Sequence, residues 1–135
     1  MQRLVALLLT VAAVALAQFA WEFPVDYENT LTSPLVTSFT CEGRNYGYYA
    51  DVDNNCEVYH VCLPVTDTSR NVIYTAHYSF ICNNETIFSQ NTLSCDTRDR
   101  AYPCEQAPSL FDFANRRFSY IPVEDTDSDD DPLFT

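Results

Sequence analysis

Six cysteines are the residues whose type and spacing most clearly indicate chemistry in this sequence. Gaps of 14, 5, 19, 12 and 8 residues separate them, at positions Cys41, Cys56, Cys62, Cys82, Cys95 and Cys104. An even set of cysteines in a short exported chain indicates disulfides, whereas in the cytosol the same set more often indicates metal or redox chemistry. The compartment therefore decides how the cysteines are interpreted, and their number alone leaves the pairing open.

The N-terminal residues predict export. Residues 1–3 carry a positive charge, residues 4–16 form an apolar run, and Ala15-Leu16-Ala17 is an A-x-A cleavage signature. The run is shorter than the roughly 18 residues that span a bilayer. We therefore predict a signal peptide over residues 1–17, a secreted, extracellular product without membrane insertion, and three disulfides.

Acidic charge excludes one class of partner and marks one segment. The chain carries 19 acidic residues against 7 arginines, with a net charge of −12. Nucleic-acid binding calls for a basic surface, so we expect no nucleic-acid partner. Six of the eight residues 124–131 are carboxylates, which repel one another and remain solvated. We predict an acidic, largely disordered tail over residues 106–135, with weak binding of calcium or of a basic partner as the alternative.

Metal and catalytic chemistry are weaker interpretations of the same residues. His60 lies two residues before Cys62, and His77 five before Cys82, which would allow a zinc site. The CxxC pairs of a zinc module are absent, and export favours disulfides. Neither G-x-S-x-G nor H-E-x-x-H occurs. We therefore predict no metal, no cofactor and no enzymatic activity.

The elements that position these residues are predicted to be β-strands. Residues 18–39 mix aromatics, prolines and acids without sustained periodicity, and we interpret them as an extended leader. Within a domain over residues 40–105, aromatic and β-branched residues alternate between turn residues. Strands are predicted at residues 46–50, 57–63 (ended by Pro64) and 72–81, followed by a small hairpin around residues 86–95. The predicted fold is small, all-β and disulfide-rich, with a three-stranded antiparallel sheet and a two-stranded hairpin. A helical turn is predicted over residues 109–118.

The residues between the cysteines carry a resemblance to a known family. Three segments carry it: Tyr46-Gly47-Tyr48-Tyr49-Ala50-Asp51, Cys56-Glu57-Val58-Tyr59-His60-Val61-Cys62 and Tyr78-Ser79-Phe80-Ile81-Cys82. With the cysteine spacing, they resemble the type-2 chitin-binding domain, also called peritrophin-A or carbohydrate-binding family 14. They are similar to single-domain arthropod members, the cuticular proteins analogous to peritrophins and the scoloptoxin-01 family of centipede venoms. The resemblance implies the disulfides Cys41–Cys62, Cys56–Cys104 and Cys82–Cys95.

A chitin partner would make specific demands on the side chains. A β-1,4-N-acetylglucosamine polymer is uncharged and presents apolar ring faces, which aromatic side chains suit, while polar side chains can bond its acetamides. Not every aromatic residue can face the ligand, since some must pack between the disulfides. The predicted ligand-binding residues of the monomer are Tyr49, Tyr59, Tyr78, Phe88 and Asn91.

Two further features qualify this prediction. Asn84-Glu85-Thr86 is an N-glycosylation sequon, so Asn84 is a predicted glycosylation site at the turn before the hairpin. A secreted venom component, either a toxin or an inhibitor, could use the same disulfide scaffold without binding sugar, since a fold does not fix a function. The lack of a basic surface disfavours a channel toxin.

Overall fold

Five short strands and four helical segments make up the described part of the chain. The computed structural model describes residues 20–83 and 85–119. The strands are β1 Gly47–Ala50, β2 Val58–Thr66, β3 Val72–Ile81, β4 Thr86–Ser89 and β5 Ser94–Thr97. The 3-10 helices are Tyr27–Asn29, Val52–Asn54 and Cys104–Leu110, and the α-helix α1 is Phe111–Ser119. The predicted signal peptide, Asn84 and the acidic run 124–131 lie outside the described residues.

The sheet topology confirms the predicted fold class. β1, β2 and β3 form one antiparallel sheet in that order, and β4 and β5 form an antiparallel hairpin. β3 spans the predicted residues 72–81, where β-branched and aromatic side chains alternate with smaller ones. Among the described residues, no helix is long and apolar enough to cross a bilayer.

The prediction that Pro64 ends the second strand is wrong, because β2 continues to Thr66. The reason is the length of β1, whose last partner on β2 is Cys62. Beyond Cys62, β2 pairs only with β3, and proline is tolerated where the missing N–H would face no neighbouring strand. The turn that follows is closed by Asp67, whose Oδ1 accepts hydrogen bonds from the backbone N–H groups of Ser69 and Asn71.

Three disulfides tie flanking segments to the sheet, with the predicted pairing confirmed. Cys41–Cys62 joins the end of the leader to β2, Cys56–Cys104 joins the start of β2 to the third 3-10 helix, and Cys82–Cys95 joins the end of β3 to β5. Their Cα–Cα distances are 5.5, 5.8 and 5.7 Å. On the chain-entropy account each is worth about 2–4 kcal/mol.

Each face of the sheet is covered by a different part of the chain. The register places Ala50, Tyr59 and Phe80 in one row across the sheet and Tyr49, His60 and Ser79 in the next, so the two rows face opposite sides. We call the first side the hairpin face, since Ile87 and Phe88 of the hairpin pack there with Ala107. We call the second the leader face, since Phe39 packs there on Tyr49 and the Cys41–Cys62 disulfide.

Buried polar side chains of the domain hold the leader in place. Glu57, which is 4% exposed, accepts hydrogen bonds from the backbone N–H and the hydroxyl of Thr32. The side-chain amide of Asn54 pairs with the backbone of Val36, accepting from its N–H at 2.8 Å and donating to its carbonyl at 2.7 Å. The leader therefore forms hydrogen bonds to side chains of the domain, whereas a strand would form them to the backbone of a neighbouring strand.

The outer edge of β1 is covered by two side-chain amides. The Oδ1 atom of Asn115, on α1, accepts from the N–H of Tyr48 at 2.9 Å, and its Nδ2 donates to the Tyr48 carbonyl at 2.9 Å. Gln90 accepts from the N–H of Ala50 and donates to the same carbonyl, both at 2.8 Å. These amides replace the missing neighbouring strand, so the edge is closed. Gly47 makes room for Asn115, because a Cβ at Gly47 would lie 2.4 Å from the Asn115 Cγ.

The C-terminal helices extend beyond the predicted helical turn. Residues 104–119 are helical throughout, first as the 3-10 helix and then as α1. Ala107 and Ala114 are buried where these helices meet the domain, at 1% and 7% exposure. The first part of the segment predicted as a tail therefore packs on the sheet.

Gly47 and Asn115 provide a test of how the β1 edge is closed. We expect Gly47→Ala to lower the free energy of unfolding by about 1–3 kcal/mol, because the new methyl group displaces the Asn115 amide from Tyr48. Asn115→Ala should cost a similar amount, since it leaves the partly buried N–H of Tyr48 without a partner. In the variant with both substitutions, the loss in free energy of unfolding should be smaller than the sum of the two single losses. Urea unfolding with disulfides intact measures the three variants. Fully additive losses would contradict the proposed contact.

Candidate functional site

An exposed row of aromatic side chains on β3 is the most prominent surface of the hairpin face. Tyr74, Tyr78 and Phe80 are 59%, 51% and 44% exposed and alternate with residues of the leader face. We call these three residues the aromatic strip. It extends over about 20 Å of strand at roughly 3.3 Å per residue. An exposed apolar surface of this kind usually marks a place of interaction.

The strip continues inward as a stack of rings. Phe80 stacks on Tyr59 of β2 with ring centroids 5.2 Å apart, and Tyr59 stacks on Phe88 of the hairpin at 4.4 Å. Burial increases along the stack, from exposed Phe80 through half-buried Tyr59 to Phe88, which is 1% exposed. The buried rings thereby fix the orientation of the exposed one.

Two of the predicted ligand-binding residues have no exposed ring face. Tyr49 is 4% exposed because Phe39 and Phe111 pack against its ring, and its hydroxyl donates to the Asn45 carbonyl at 2.7 Å. Burial raises the pKa of the Tyr49 hydroxyl. Phe88 is buried in the core of the hairpin face. Both residues therefore serve packing, and their rings offer no exposed face to a ligand.

The other predicted residues lie at the surface or near it. Tyr78 is in the aromatic strip, Tyr59 lies half-buried beneath Phe80, and burial raises the pKa of the Tyr59 hydroxyl. Asn91 is exposed at the hairpin turn, where its Oδ1 accepts a hydrogen bond from the Ser89 hydroxyl at 2.6 Å.

The sequence-based set of ligand-binding residues includes only one member of the strip, Tyr78. The alternation along β3 places Tyr74, Tyr78 and Phe80 on one face. That alternation was the available signal. It could not show that the hairpin, whose strands are four residues long, covers β1 and β2 and leaves β3 open.

A buried histidine cluster lies under the leader on the other face. His60 is 0% exposed, and its Nε2 lies 2.7 Å from Asp51 Oδ2. Its Nδ1 lies 2.7 Å from Ser79 Oγ and 2.9 Å from His77 Nε2. A neutral His60 that donates from Nε2 to Asp51 has an accepting Nδ1, which takes the His77 N–H. Phe39 stacks on the His60 ring at 4.0 Å, and Trp21 contacts the same ring edge-on at 4.8 Å.

Asp51, His60 and Ser79 are arranged like the triad of a hydrolytic enzyme, but the Ser79 hydroxyl is hydrogen-bonded to a group outside the triad. Ser79 is 8% exposed, and its hydroxyl donates to the carbonyl of Ala20 at 2.5 Å. A nucleophile must reach its substrate, and the leader occupies that position. The cluster therefore anchors the leader. In the part of the chain that the structure describes, no group of three or more His, Cys, Asp or Glu residues is arranged to hold a metal ion.

Burial keeps both imidazoles neutral. It lowers the pKa of His77 from its ordinary 6.5 to about 4, with His60 adding to the shift and Asp51 opposing it. It also lowers the pKa of His60, where the hydrogen bond and charge of Asp51 oppose the shift and Arg44 adds to it. A proton on His60 Nδ1 would place two N–H groups opposite each other, since His77 already donates there.

Comparison with known proteins gives related sequences but no related structure. Residues 41–104 match the chitin binding Peritrophin-A domain. U-scoloptoxin(01)-Cw1a of Cormocephalus westwoodi is 36% identical over 98 residues, which cover 73% of this chain and 74% of that protein. U-scoloptoxin(01)-Er1a of Ethmostigmus rubripes is 32% identical over 87 residues, which cover 64% and 65% of the two chains. No solved structure matches.

The histidine cluster predicts a loss of stability in mild acid. Between pH 6.5 and about 4 the unfolded chain binds a proton at His77 while the folded chain does not, so the free energy of unfolding falls as the pH falls. For His77 the loss should approach about 2–3 kcal/mol. Urea unfolding at several pH values, followed by fluorescence of Trp21, the only tryptophan, measures it. His77→Phe should make the loss smaller, and an unchanged pH dependence in this variant would contradict the assignment.

Proposed function

We propose that this chain, which belongs to the family of chitin-binding peritrophin-A domain proteins, is an extracellular protein that docks on chitin without catalysis. The aromatic strip is the observation that carries the proposal. Its three rings are held on one strand, exposed and free of the hairpin that covers the rest of that face. The proposed role needs no reacting group, only a surface that matches the polymer.

The chemistry of the strip suits this ligand. Tyrosine and phenylalanine rings stack on the apolar faces of sugar rings, and tyrosine hydroxyls can bond to sugar hydroxyls and acetamides. Tyr59 supports the strip from below, and Asn91 offers an amide at the hairpin turn for an acetamide group. Because fully acetylated chitin is uncharged, we expect this docking to depend little on salt.

The acidic charge of the chain fits a monomer at the surface of the polymer. An exposed edge strand with apolar side chains invites pairing between copies. Chains with a net charge of −12 repel one another, which opposes such pairing. We propose that the strip remains available to the polymer for this reason.

A role in venom is the second candidate function. Both relatives are named scoloptoxins, and the similarity to the first extends over 98 residues, more than the domain 41–104 contains. Residues outside the domain therefore share in the likeness. Localisation of the protein by antibody to venom gland or to cuticle separates this role from a structural one, and strong staining of cuticle alone would count against it.

Removal of the exposed rings tests the docking surface. We expect Tyr74→Ala with Tyr78→Ala to weaken binding to chitin about tenfold or more, since each ring stack is worth roughly 0.5–1.5 kcal/mol. Retention of the full mature chain on chitin beads, with disulfides intact, gives the affinity.

Two exposed apolar residues outside the strip supply the matched control. Ile73 lies next to Tyr74 on the opposite side of β3 and is 64% exposed, and Phe113 of α1 is 62% exposed. Ile73→Ala with Phe113→Ala should bind like the wild type. Equal losses in both double variants would refute the strip as the site, and a wild-type chain that chitin does not retain would refute the proposed function.

A further inference from the structure

A cavity of about 330 Å³ lies between the leader and the C-terminal end of β3. Phe80, the last ring of the aromatic strip, lines it together with its stacking partner Tyr59. The leader contributes Phe23 and Tyr27, whose ring centroids are 5.2 Å apart. A ligand chain lying along the strip would therefore meet this cavity at one end.

The charged residues that line the cavity are all acidic. Glu22 and Asp26 belong to the lining, and it includes no arginine or histidine. Among the described residues, the ion pairs are His60 with Asp51 and Arg98 with Glu57, and neither involves these two carboxylates. Both are exposed at the rim of the cavity.

Aromatic rings and unpaired carboxylates together favour a cation. The negative faces of aromatic rings attract an ammonium group, and the carboxylates add a direct charge interaction. N-acetylglucosamine lacks such a charge. A glucosamine unit, which is the same sugar without its acetyl group, carries a protonated amine in mild acid and keeps the apolar ring face.

We propose that this cavity binds a protonated glucosamine unit, so that the protein prefers partially deacetylated chitin over the fully acetylated polymer. The inference rests on the proposed function, because the strip would hold the neighbouring acetylated units. Glu22 and Asp26 would face the amine. Phe23, Tyr27 and Phe80 would contact the sugar ring, with Tyr59 supporting Phe80. The leader thereby becomes part of the binding site.

Short oligosaccharides of equal length test the preference. The full mature chain is titrated with a fully acetylated chitin hexamer and with a partially deacetylated one. Both titrations are done at low salt and pH 6.5, where the loss of stability from the histidine cluster only begins. We expect tighter binding of the deacetylated hexamer. Glu22→Gln with Asp26→Asn should weaken that binding about fivefold or more, since two exposed charge contacts are lost, and should leave the acetylated hexamer unaffected.

A second pair of carboxylates controls for the overall negative charge. Glu42 and Asp112 are exposed and do not line the cavity, so Glu42→Gln with Asp112→Asn removes the same charge elsewhere. An equal loss in this pair would show general attraction of a cation to an acidic chain and would overturn the cavity assignment.

The remaining outcomes separate this inference from the proposed function. Equal affinity for the two hexamers overturns the preference while leaving chitin docking intact. Failure to bind either hexamer removes the proposed function as well. A further outcome is that an arginine-rich peptide binds where neither hexamer does. If Glu22→Gln with Asp26→Asn then abolishes binding of the peptide, the cavity is a protein-docking site and the sugar assignment is wrong.

Discussion

A three-stranded sheet that must be covered on both sides is the constraint on which this structure depends. Three segments cover the sheet, and the apolar burial that would hold them in place is marginal in a domain of this size. Each disulfide therefore fastens one cover to the sheet: Cys41–Cys62 the leader, Cys56–Cys104 the C-terminal helices, and Cys82–Cys95 the hairpin. The remaining specificity comes from buried polar side chains such as Asn54, His60 and Asn115.

The exposed surface follows from the size of these covers. Four-residue hairpin strands can cover only part of a sheet whose third strand has ten residues. Tyr48 of β1 and Tyr59 of β2 are consequently half-buried, and the aromatic strip on β3 remains exposed. The same stack that stabilises the core through Phe88 and Tyr59 also orients Phe80 at the surface. Core packing and the proposed docking surface are thus parts of one aromatic row.

Sequence reasoning succeeded where the determinants are local. The alternation along β3 depends on nearby residues and the cysteine pairing on a resemblance, and the strands and disulfides agree with both. Sequence reasoning could not decide which aromatic rings are exposed, because distant segments determine that. Tyr49 and Tyr78 have the same type and both lie on strands, and only the packing of Phe39 and Phe111 distinguishes the buried ring from the exposed one.

The leader shows why an apparently irregular segment can be structurally specified. Its sequence lacks periodicity because its partners are single side chains, which need no repeating pattern in the chain that they bind. Glu57 holds Thr32, Asn54 holds Val36, and Ser79 holds the carbonyl of Ala20. A buried carboxylate, amide or hydroxyl left without its partner would cost more than an apolar contact of the same size. The domain therefore favours the docked leader, and the docked leader in turn forms one wall of the cavity beside the aromatic strip.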